Sequence, residues 1–287
     1  MKKWAVVTAL ALLVSVLAVS EASAAQTCFG KRATVRGTNG ADTLRGTAGA
    51  DVMFGGGGND RIIGGGGNDK ICSGPGHDVV KAGAGRDKVF GSSGVDRIVG
   101  GADNDELFTG GASEREAEFL SGGPGDDRLS GESNPDVIEG GAGNDYIEGG
   151  SSLQDVFDEL SGGLGNDRIV GTQAIGAGGQ GDDELEVPVV SFEAAVGAVL
   201  VNLTDQTSTG EGNDYLATVV DVIGSVYDDE IIGNDSANTV TGMGGDDSIS
   251  GDDGDDTLEG GEGTDDIDGG FGLDTCHGES EFNCEFD

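Results

Sequence analysis

A nine-residue period constrains this chain more than any other feature of its sequence. Counted in nines from Gly37, the sixth position of eight consecutive units is always aspartate, and the eighth is always apolar. The eight aspartates are Asp42, Asp51, Asp60, Asp69, Asp78, Asp87, Asp96 and Asp105. A period of this kind predicts a solenoid, in which every unit repeats one local structure and stacks on its neighbours.

The period is interrupted three times before residue 187. Slips in phase indicate insertions near 109–112 and 149–152, and a wider gap indicates a third near 171–177. Insertions in a solenoid are expected to form loops between coils. Between the slips the sixth-position aspartates continue at Asp127, Asp136, Asp145, Asp167 and Asp183. We therefore predict a first repeat block over residues 37–186.

The repeat disappears after residue 186 and resumes near residue 224. The residues between are apolar and β-branched, which predicts a strand-rich connector over 187–223, with a small helix at SFEAAVGA as the alternative. A second block over 224–277 follows. Its sixth-position residues are Asp229, Asn238, Asp247, Asp256, Asp265 and Asp274.

The geometry of one unit explains why the repeat has this composition. Six glycine-rich positions suit a turn and three suit a short strand, so two units complete one coil of a right-handed, flattened spiral with a thin apolar core. Each aspartate then lies beside the one two units later, about 4.8 Å away. Carboxylates at that spacing repel one another, and a calcium ion bound between turns by carboxylate and carbonyl oxygens removes the repulsion. A metal-free solenoid with a solvated acidic edge is the alternative.

The overall charge excludes two classes of partner. The chain has 54 acidic and 15 basic residues, a net charge of −39 at pH 7. Nucleic acids and anionic membranes would be repelled, so we expect neither nucleic-acid binding nor membrane insertion, and we expect bound cations.

The N-terminal residues resemble an export signal. Lys2 and Lys3 precede an apolar run from Trp4 to Val19, and the small residues 22–24 follow it. This pattern predicts a signal peptide over 1–24 and a secreted mature protein, with an uncleaved anchor as the alternative. The four cysteines, Cys28, Cys72, Cys276 and Cys284, are then expected to form disulfides. Three pairings are possible, and proximity along the chain favours Cys28 with Cys72 and Cys276 with Cys284. A zinc site is the rival, but neither pair has CxxC spacing.

Four units closely resemble the RTX, or haemolysin-type, calcium-binding repeat GGxGxDxUx. They are GGGGNDRII, GGGGNDKIC, GGAGNDYIE and GGLGNDRIV. The resemblance implies an all-β, parallel β-roll that binds several Ca²⁺ ions through the aspartates named above. It also implies cysteine-bearing caps over 25–36 and 278–287. Three positions depart from the motif, and we expect no calcium there: Glu118 and Asp158, which lack preceding glycines, and Asn238, which has no charge.

The function predicted from these features is calcium binding coupled to folding outside the cell. A structural, adhesive or matrix role with an unidentified surface partner is expected. The alternative is a carbohydrate-active enzyme or glycan-binding protein built on a solenoid. We expect no catalysis, because the chain has no HExxH or GxSxG motif and no non-repeat segment large enough for a catalytic domain.

Overall fold

A computed structural model describes residues 27–111, 116–151 and 156–284. All the regular elements within these ranges are β-strands, so the small helix considered at SFEAAVGA does not form. No helix in the described ranges is long and apolar enough to cross a membrane. The predicted signal peptide, residues 1–24, lies outside the described residues.

Successive units place their strands alternately in two sheets. The first sheet has 13 strands: β4 (Thr43–Arg45), β6 (Arg61–Gly66), β8 (Val79–Ala84), β10 (Arg97–Ala102), β12 (Glu118–Pro124), β14 (Asp136–Ala142), β16 (Asp158–Leu164), β18 (Ala174–Gln180), β20 (Val189–Ser191), β24 (Asp221–Ile223), β26 (Thr239–Gly244), β28 (Thr257–Glu262) and β30 (Thr275–His277).

The second sheet has 16 strands: β3 (Val35–Arg36), β5 (Val52–Phe54), β7 (Lys70–Cys72), β9 (Lys88–Ser92), β11 (Glu106–Gly110), β13 (Arg128–Ser130), β15 (Tyr146–Glu148), β17 (Arg168–Val170), β19 (Glu184–Glu186), β23 (Asn213–Leu216), β22 (Thr207–Thr209), β21 (Leu200–Asn202), β25 (Glu230–Ile232), β27 (Ser248–Ser250), β29 (Asp266–Asp268) and β31 (Ser280–Phe282).

The eighth position of each unit forms the core between the sheets. Ile62 pairs with Val80, and Val80 with Ile98, in parallel register across the first sheet. All three side chains are fully buried, while their neighbours along each strand face outward. The alternation follows from the two-residue period of a strand. The predicted all-β, parallel β-roll is therefore confirmed.

The interruptions of the period show up as changes of register. Ile98 pairs with Leu120 and Ile138 with Leu160, so in each case four more residues lie between partners than in a regular coil. Residues 171–177, which the spacing predicts as a third insertion, include the start of β18. Leu160 pairs there with Gly176, which makes this coil two residues shorter than a regular one. A missing pair of residues and an inserted loop give similar gaps between aspartates, so spacing alone does not separate them.

Both sheets continue through residues 187–223. In the first sheet β20 pairs in parallel with β18 and with β24. In the second sheet β23 pairs with β19 and β21 with β25, both in parallel, and β22 fills the space between them as an antiparallel strand. The two repeat blocks are thus stacked in one continuous solenoid.

The two disulfides occupy different places at the two ends. The structure joins Cys28 to Cys72 and Cys276 to Cys284, the pairing that proximity favours. The first bond fastens a hairpin, β1 (Thr27–Cys28) with β2 (Lys31–Arg32), to the outer side of β7. The second covers the last core position, because Cys276 stands where other units have a buried apolar residue.

Because each regular unit contributes one apolar side chain to the core, we expect the stability of the roll to be sensitive to shortening of such a side chain. Ile138 is fully buried in the middle of the roll, whereas Leu164 in the next strand of the same sheet is 52% exposed. Ile138→Ala should lower the free energy of unfolding by about 2–5 kcal/mol because it leaves a cavity. Leu164→Ala should change it by less than about 0.5 kcal/mol. Urea unfolding in calcium, followed by circular dichroism, measures both, and equal losses would contradict this description of the core.

Candidate metal centre

The sixth-position acids form two rows, one along each edge of the roll. One row precedes the strands of the first sheet, and the other precedes those of the second. These side chains are buried: Asp105 is 2% exposed and Asp136 is 1% exposed. Asp42, in the outermost coil, is only partly buried. Burial follows from the fold, because each acid sits where a turn enters a strand and is covered by the coils on either side.

Along each row, the carboxylates are linked by hydrogen bonds from one coil to the next. The backbone amide of Asp60 donates to Oδ1 of Asp78 at 2.7 Å, and the amide of Asp78 donates to Oδ1 of Asp96 at 2.9 Å. The other row repeats the pattern, with the Asp69 amide 2.7 Å from Oδ1 of Asp87. Most acids therefore stack on the acid two units away, as the repeat predicts, whereas neither oxygen of Asp136 accepts a hydrogen bond from the described residues.

The second oxygen of most of these carboxylates is buried and accepts no hydrogen bond from the described part of the chain. The acids concerned are Asp60, Asp69, Asp78, Asp87, Asp96, Asp105, Glu118, Asp127, Asp136, Asp145, Asp167, Asp183, Asp247, Asp256 and Asp265. A buried polar atom without a partner costs free energy, and a buried charge costs more. So regular a set of unsatisfied oxygens indicates that something positive belongs beside them.

Burial raises the pKa of many of these carboxyl groups, and in several of them neighbouring carboxylates add to the rise. Burial, opposed in part by the Asp87 amide and reinforced by the charges of Asp87 and Asp127, raises the pKa of Asp105 to about 8. Burial, followed by the charges of Glu118 and Asp158, raises the pKa of Asp136 to about 9. The ionised form of each row is therefore unfavourable in the folded protein unless cations lie among the carboxylates.

In several units that begin with glycine, a carbonyl oxygen faces the same space as the second carboxylate oxygen. A Cβ atom added to Gly64, the first residue of its unit, would lie 2.3 Å from the carbonyl oxygen of Ala82 and 2.4 Å from Oδ2 of Asp69. The arrangement recurs at Gly55. The missing side chain leaves a small cradle bordered by a carboxylate oxygen and a carbonyl oxygen.

Two further positions of the turn require a left-handed backbone. Gly56 and Gly58, the second and fourth residues of one unit, have φ of 115° and 94°. Glycine adopts such angles without strain. The turn imposes them on other residues too, since Ser92 and Met243 at the second position have φ of 90° and 81°. The backbone of the turn is thus fixed by the stacking of coils.

Oxygen-only donors of this kind suit a hard cation. Calcium takes six to eight oxygen ligands at about 2.3–2.6 Å, from carboxylates and carbonyls together. Across the described ranges, no group of three or more His, Cys, Asp or Glu side chains converges as a metal site. An ion in these rows would therefore draw much of its coordination from carbonyl oxygens, which the cradles supply.

A family model described as RTX calcium-binding nonapeptide repeat (4 copies) matches residues 36–71, 73–107, 121–152, 157–173, 223–258 and 241–276. Together these ranges cover more than half of the chain. The chain belongs to the RTX calcium-binding repeat family. No curated protein matches it.

Every RTX aspartate predicted from the sequence lies in one of the two rows. The row beside the first sheet contains Asp42, Asp60, Asp78, Asp96, Asp136, Asp256 and Asp274. The row beside the second sheet contains Asp51, Asp69, Asp87, Asp105, Asp127, Asp145, Asp167, Asp183, Asp229, Asp247 and Asp265. All of these aspartates thus lie along the edges of the roll, and their role as calcium ligands stays a prediction.

Glu118 and Asp158, where no calcium was expected, also lie in a row. The Asp96 amide is 3.4 Å from Oε1 of Glu118, and the Asp136 amide donates to Oδ1 of Asp158 at 3.0 Å. A Cβ on Gly149 would lie 2.6 Å from Oδ2 of Asp158. The RTX glycine of this unit therefore exists but precedes the insertion, so local sequence near Asp158 does not reveal it.

Asp214 is a row member that the sequence reading missed. Its Oδ1 accepts the Asp183 amide at 3.1 Å, its Oδ2 accepts the Ser208 hydroxyl at 2.7 Å, and Leu216 two residues later is 1% exposed. The segment GEGNDYL carries the RTX signal, with the acid and the apolar residue correctly spaced. It went unnoticed because it stands alone and out of phase.

A single row carboxylate should matter more for calcium than a surface carboxylate beside it. Asp105→Asn keeps the shape of a buried row residue, and Asp103→Asn makes the same charge change at an exposed residue two positions earlier. We expect Asp105→Asn to bind fewer calcium ions, with half-saturation several-fold higher, because an amide oxygen is a weaker ligand. Equilibrium dialysis with isothermal titration calorimetry measures this. Identical calcium binding by the two variants would contradict a ligand role for Asp105.

Proposed function

We propose that this protein is secreted, folds when it binds several calcium ions between its stacked turns, and acts outside the cell as a non-catalytic structural or adhesive rod. The observation that carries the proposal is the set of buried carboxylate oxygens without hydrogen-bond partners along both edges of the roll. The family match supports calcium as the cation.

Folding coupled to binding follows from the energetics of the rows. In an unfolded chain the acids are hydrated and far apart, whereas in the roll they are buried at coil spacing, with Asp136 having a pKa of about 9. A cation that binds only the folded state stabilises that state by mass action. Each regular unit contributes only one apolar side chain to the core between the sheets. Burial of the core therefore offers little free energy to offset the cost of burying the carboxylates.

The proposed location rests on independent features. Extracellular calcium modules commonly bind at about 10⁻⁴–10⁻³ M. Such sites would stay empty in a cytosol and fill outside the cell. Both disulfides suit an oxidising compartment, and residues 1–24 have the charge and hydropathy of an export signal. Export before folding would keep the chain unfolded until it meets calcium.

A glycan-binding or carbohydrate-active role is the second candidate, favoured by one feature. A groove over the first sheet is bordered by Glu139, Glu159, Ser161 and Glu193. A glycosidase needs two carboxyl groups held in contrasting environments. Glu139 and Glu159 are both exposed to solvent, so they lack that contrast. The groove therefore supports weak glycan contact better than hydrolysis.

Far-UV circular dichroism of the oxidised protein, titrated with calcium and separately with magnesium, tests the proposal. We expect a disordered spectrum in chelator and a rise in β signal at sub-millimolar to millimolar calcium. Magnesium should have little effect, because it demands octahedral geometry and keeps its waters. A β-rich spectrum in chelator that calcium leaves unchanged would overturn calcium-coupled folding and direct attention to the groove.

A further inference from the structure

Charged residues outside the two rows are segregated along the chain. Residues 27–102 contain ten Lys and Arg, and their only acids are the seven row aspartates from Asp42 to Asp96. Residues 169–287 contain 29 acidic residues and no Lys or Arg. When the row acids are neutralised, the N-terminal coils therefore have a positive surface and the C-terminal coils a strongly negative one.

Four of the N-terminal cations form a flat, regular face on the outside of the first sheet. We call Arg45, Arg61, Lys81 and Arg97 the cationic face; all four side chains are exposed. Arg61 and Arg97 share one column of the sheet with Val79 between them, and Arg45 and Lys81 share the adjacent column. Strands lie about 4.8 Å apart, so Arg61 and Arg97 emerge about 10 Å apart.

A matching set of acids lies at the other end of the chain, on the outside of the second sheet. We call Glu230, Asp266 and Asp268 the acidic face; all three side chains are exposed. Glu230 and Asp266 share a column with Ser248 between them. These two acids are therefore also two strands apart, the same separation as Arg61 and Arg97.

We propose that the cationic face of one molecule docks on the acidic face of a second copy of this chain. Arg61 and Arg97 then lie opposite Glu230 and Asp266, with equal spacing on both surfaces. Among the described residues, Glu230 and Asp266 form an exposed acidic pair of the required spacing, and they lie in a region, residues 169–287, that has no Lys or Arg. An anionic glycan is the other candidate occupant of the cationic face, and the test below distinguishes the two.

The contact is heterologous, because it joins different surfaces near opposite ends and on opposite sheets. A pair joined in this way leaves one cationic face and one acidic face open, so further copies add until the contacts close into a ring or continue as an open, staggered array. This proposal goes beyond calcium binding and requires only that the roll be folded.

The strength of the contact should depend steeply on salt. Single exposed ion pairs contribute little, and several in register are needed for a measurable effect. Their attraction falls as the screening length shrinks from about 10 Å at 0.1 M ionic strength to about 3 Å at 1 M. Association should therefore be appreciable at low ionic strength and absent at high ionic strength.

Sedimentation velocity of the calcium-loaded, oxidised protein tests the proposal. In about 0.05 M salt the weight-average mass should rise with protein concentration, and in about 0.5 M salt it should return to that of a monomer. Arg61→Glu with Arg97→Glu, or Glu230→Lys with Asp266→Lys, should each weaken association at least about tenfold, because like charges then face each other. Circular dichroism in calcium checks that each variant is folded as the wild type is.

Mixing the two double variants gives the sharpest result. Each should remain monomeric alone, whereas an equimolar mixture should associate, because every contact between unlike variants again joins opposite charges. Lys31→Glu with Arg32→Glu is the matched control: it makes the same charge change on the hairpin, away from the cationic face, and should associate as the wild type does.

Three results would overturn the proposal. The folded wild type could stay monomeric at every concentration in low salt, the hairpin control could lose as much association as the Arg61 and Arg97 variant, or the mixture could fail to associate. Binding of dextran sulfate, but not neutral dextran, by a folded wild type that stays monomeric would assign the cationic face to an anionic glycan if the Arg61 and Arg97 variant lost it. Failure to fold in calcium would instead count against the proposed function.

Discussion

The roll depends on what lies between carboxylates that are held one coil apart and covered by protein. Hydrogen bonds from the preceding coil satisfy one oxygen of Asp60 and of Asp69, and the other oxygen faces a carbonyl across a gap left by the glycine that begins each of these units. The core between the sheets is thin, and the left-handed backbone of the turns accompanies the close stacking of the carboxylates. If calcium binds between the turns as proposed, cation binding, turn geometry and strand stacking depend on one another.

Much of the fold and of the two acid rows could be predicted from the sequence, because residues at the same position of successive repeats occupy equivalent places in the coils of a solenoid. The position of Ile62 in the core, the stacking of Asp60 on Asp78 and the alternation between two sheets all follow from counting in nines. Counting failed where local residues do not show which coil they belong to. Gly149 serves Asp158 across an insertion, Asp214 completes a row from within the connector, and a shortened coil at β18 resembles an inserted one.

Contacts and surface patterns that the repeat does not determine were not predictable from the sequence, for a different reason. The N-terminal hairpin was expected to cap the end of the solenoid, but its disulfide fastens it to the outward face of β7. There the centre of the Phe29 ring lies 5.1 Å from Lys88 Nζ. The period says only that Cys72 occupies an outward position, and many segments could pack there. Likewise the charges of Arg61 or Glu230 are evident in the sequence, while their equal spacing becomes evident only when the sheet register is known.

The Cys28–Cys72 bond also determines how the rod would transmit tension. The bond joins residues 44 positions apart, so a pull applied at the N-terminus passes through sulfur directly into β7 and bypasses the outermost coils. At the opposite end, Cys276–Cys284 delivers the load into β30. The N-terminal coils ahead of β7 are thus mechanically shielded, whereas β30, the end strand of the first sheet, takes the load directly. The first coil to unwind would therefore lie at the C-terminal end, where the loaded strand has a neighbour on one side only.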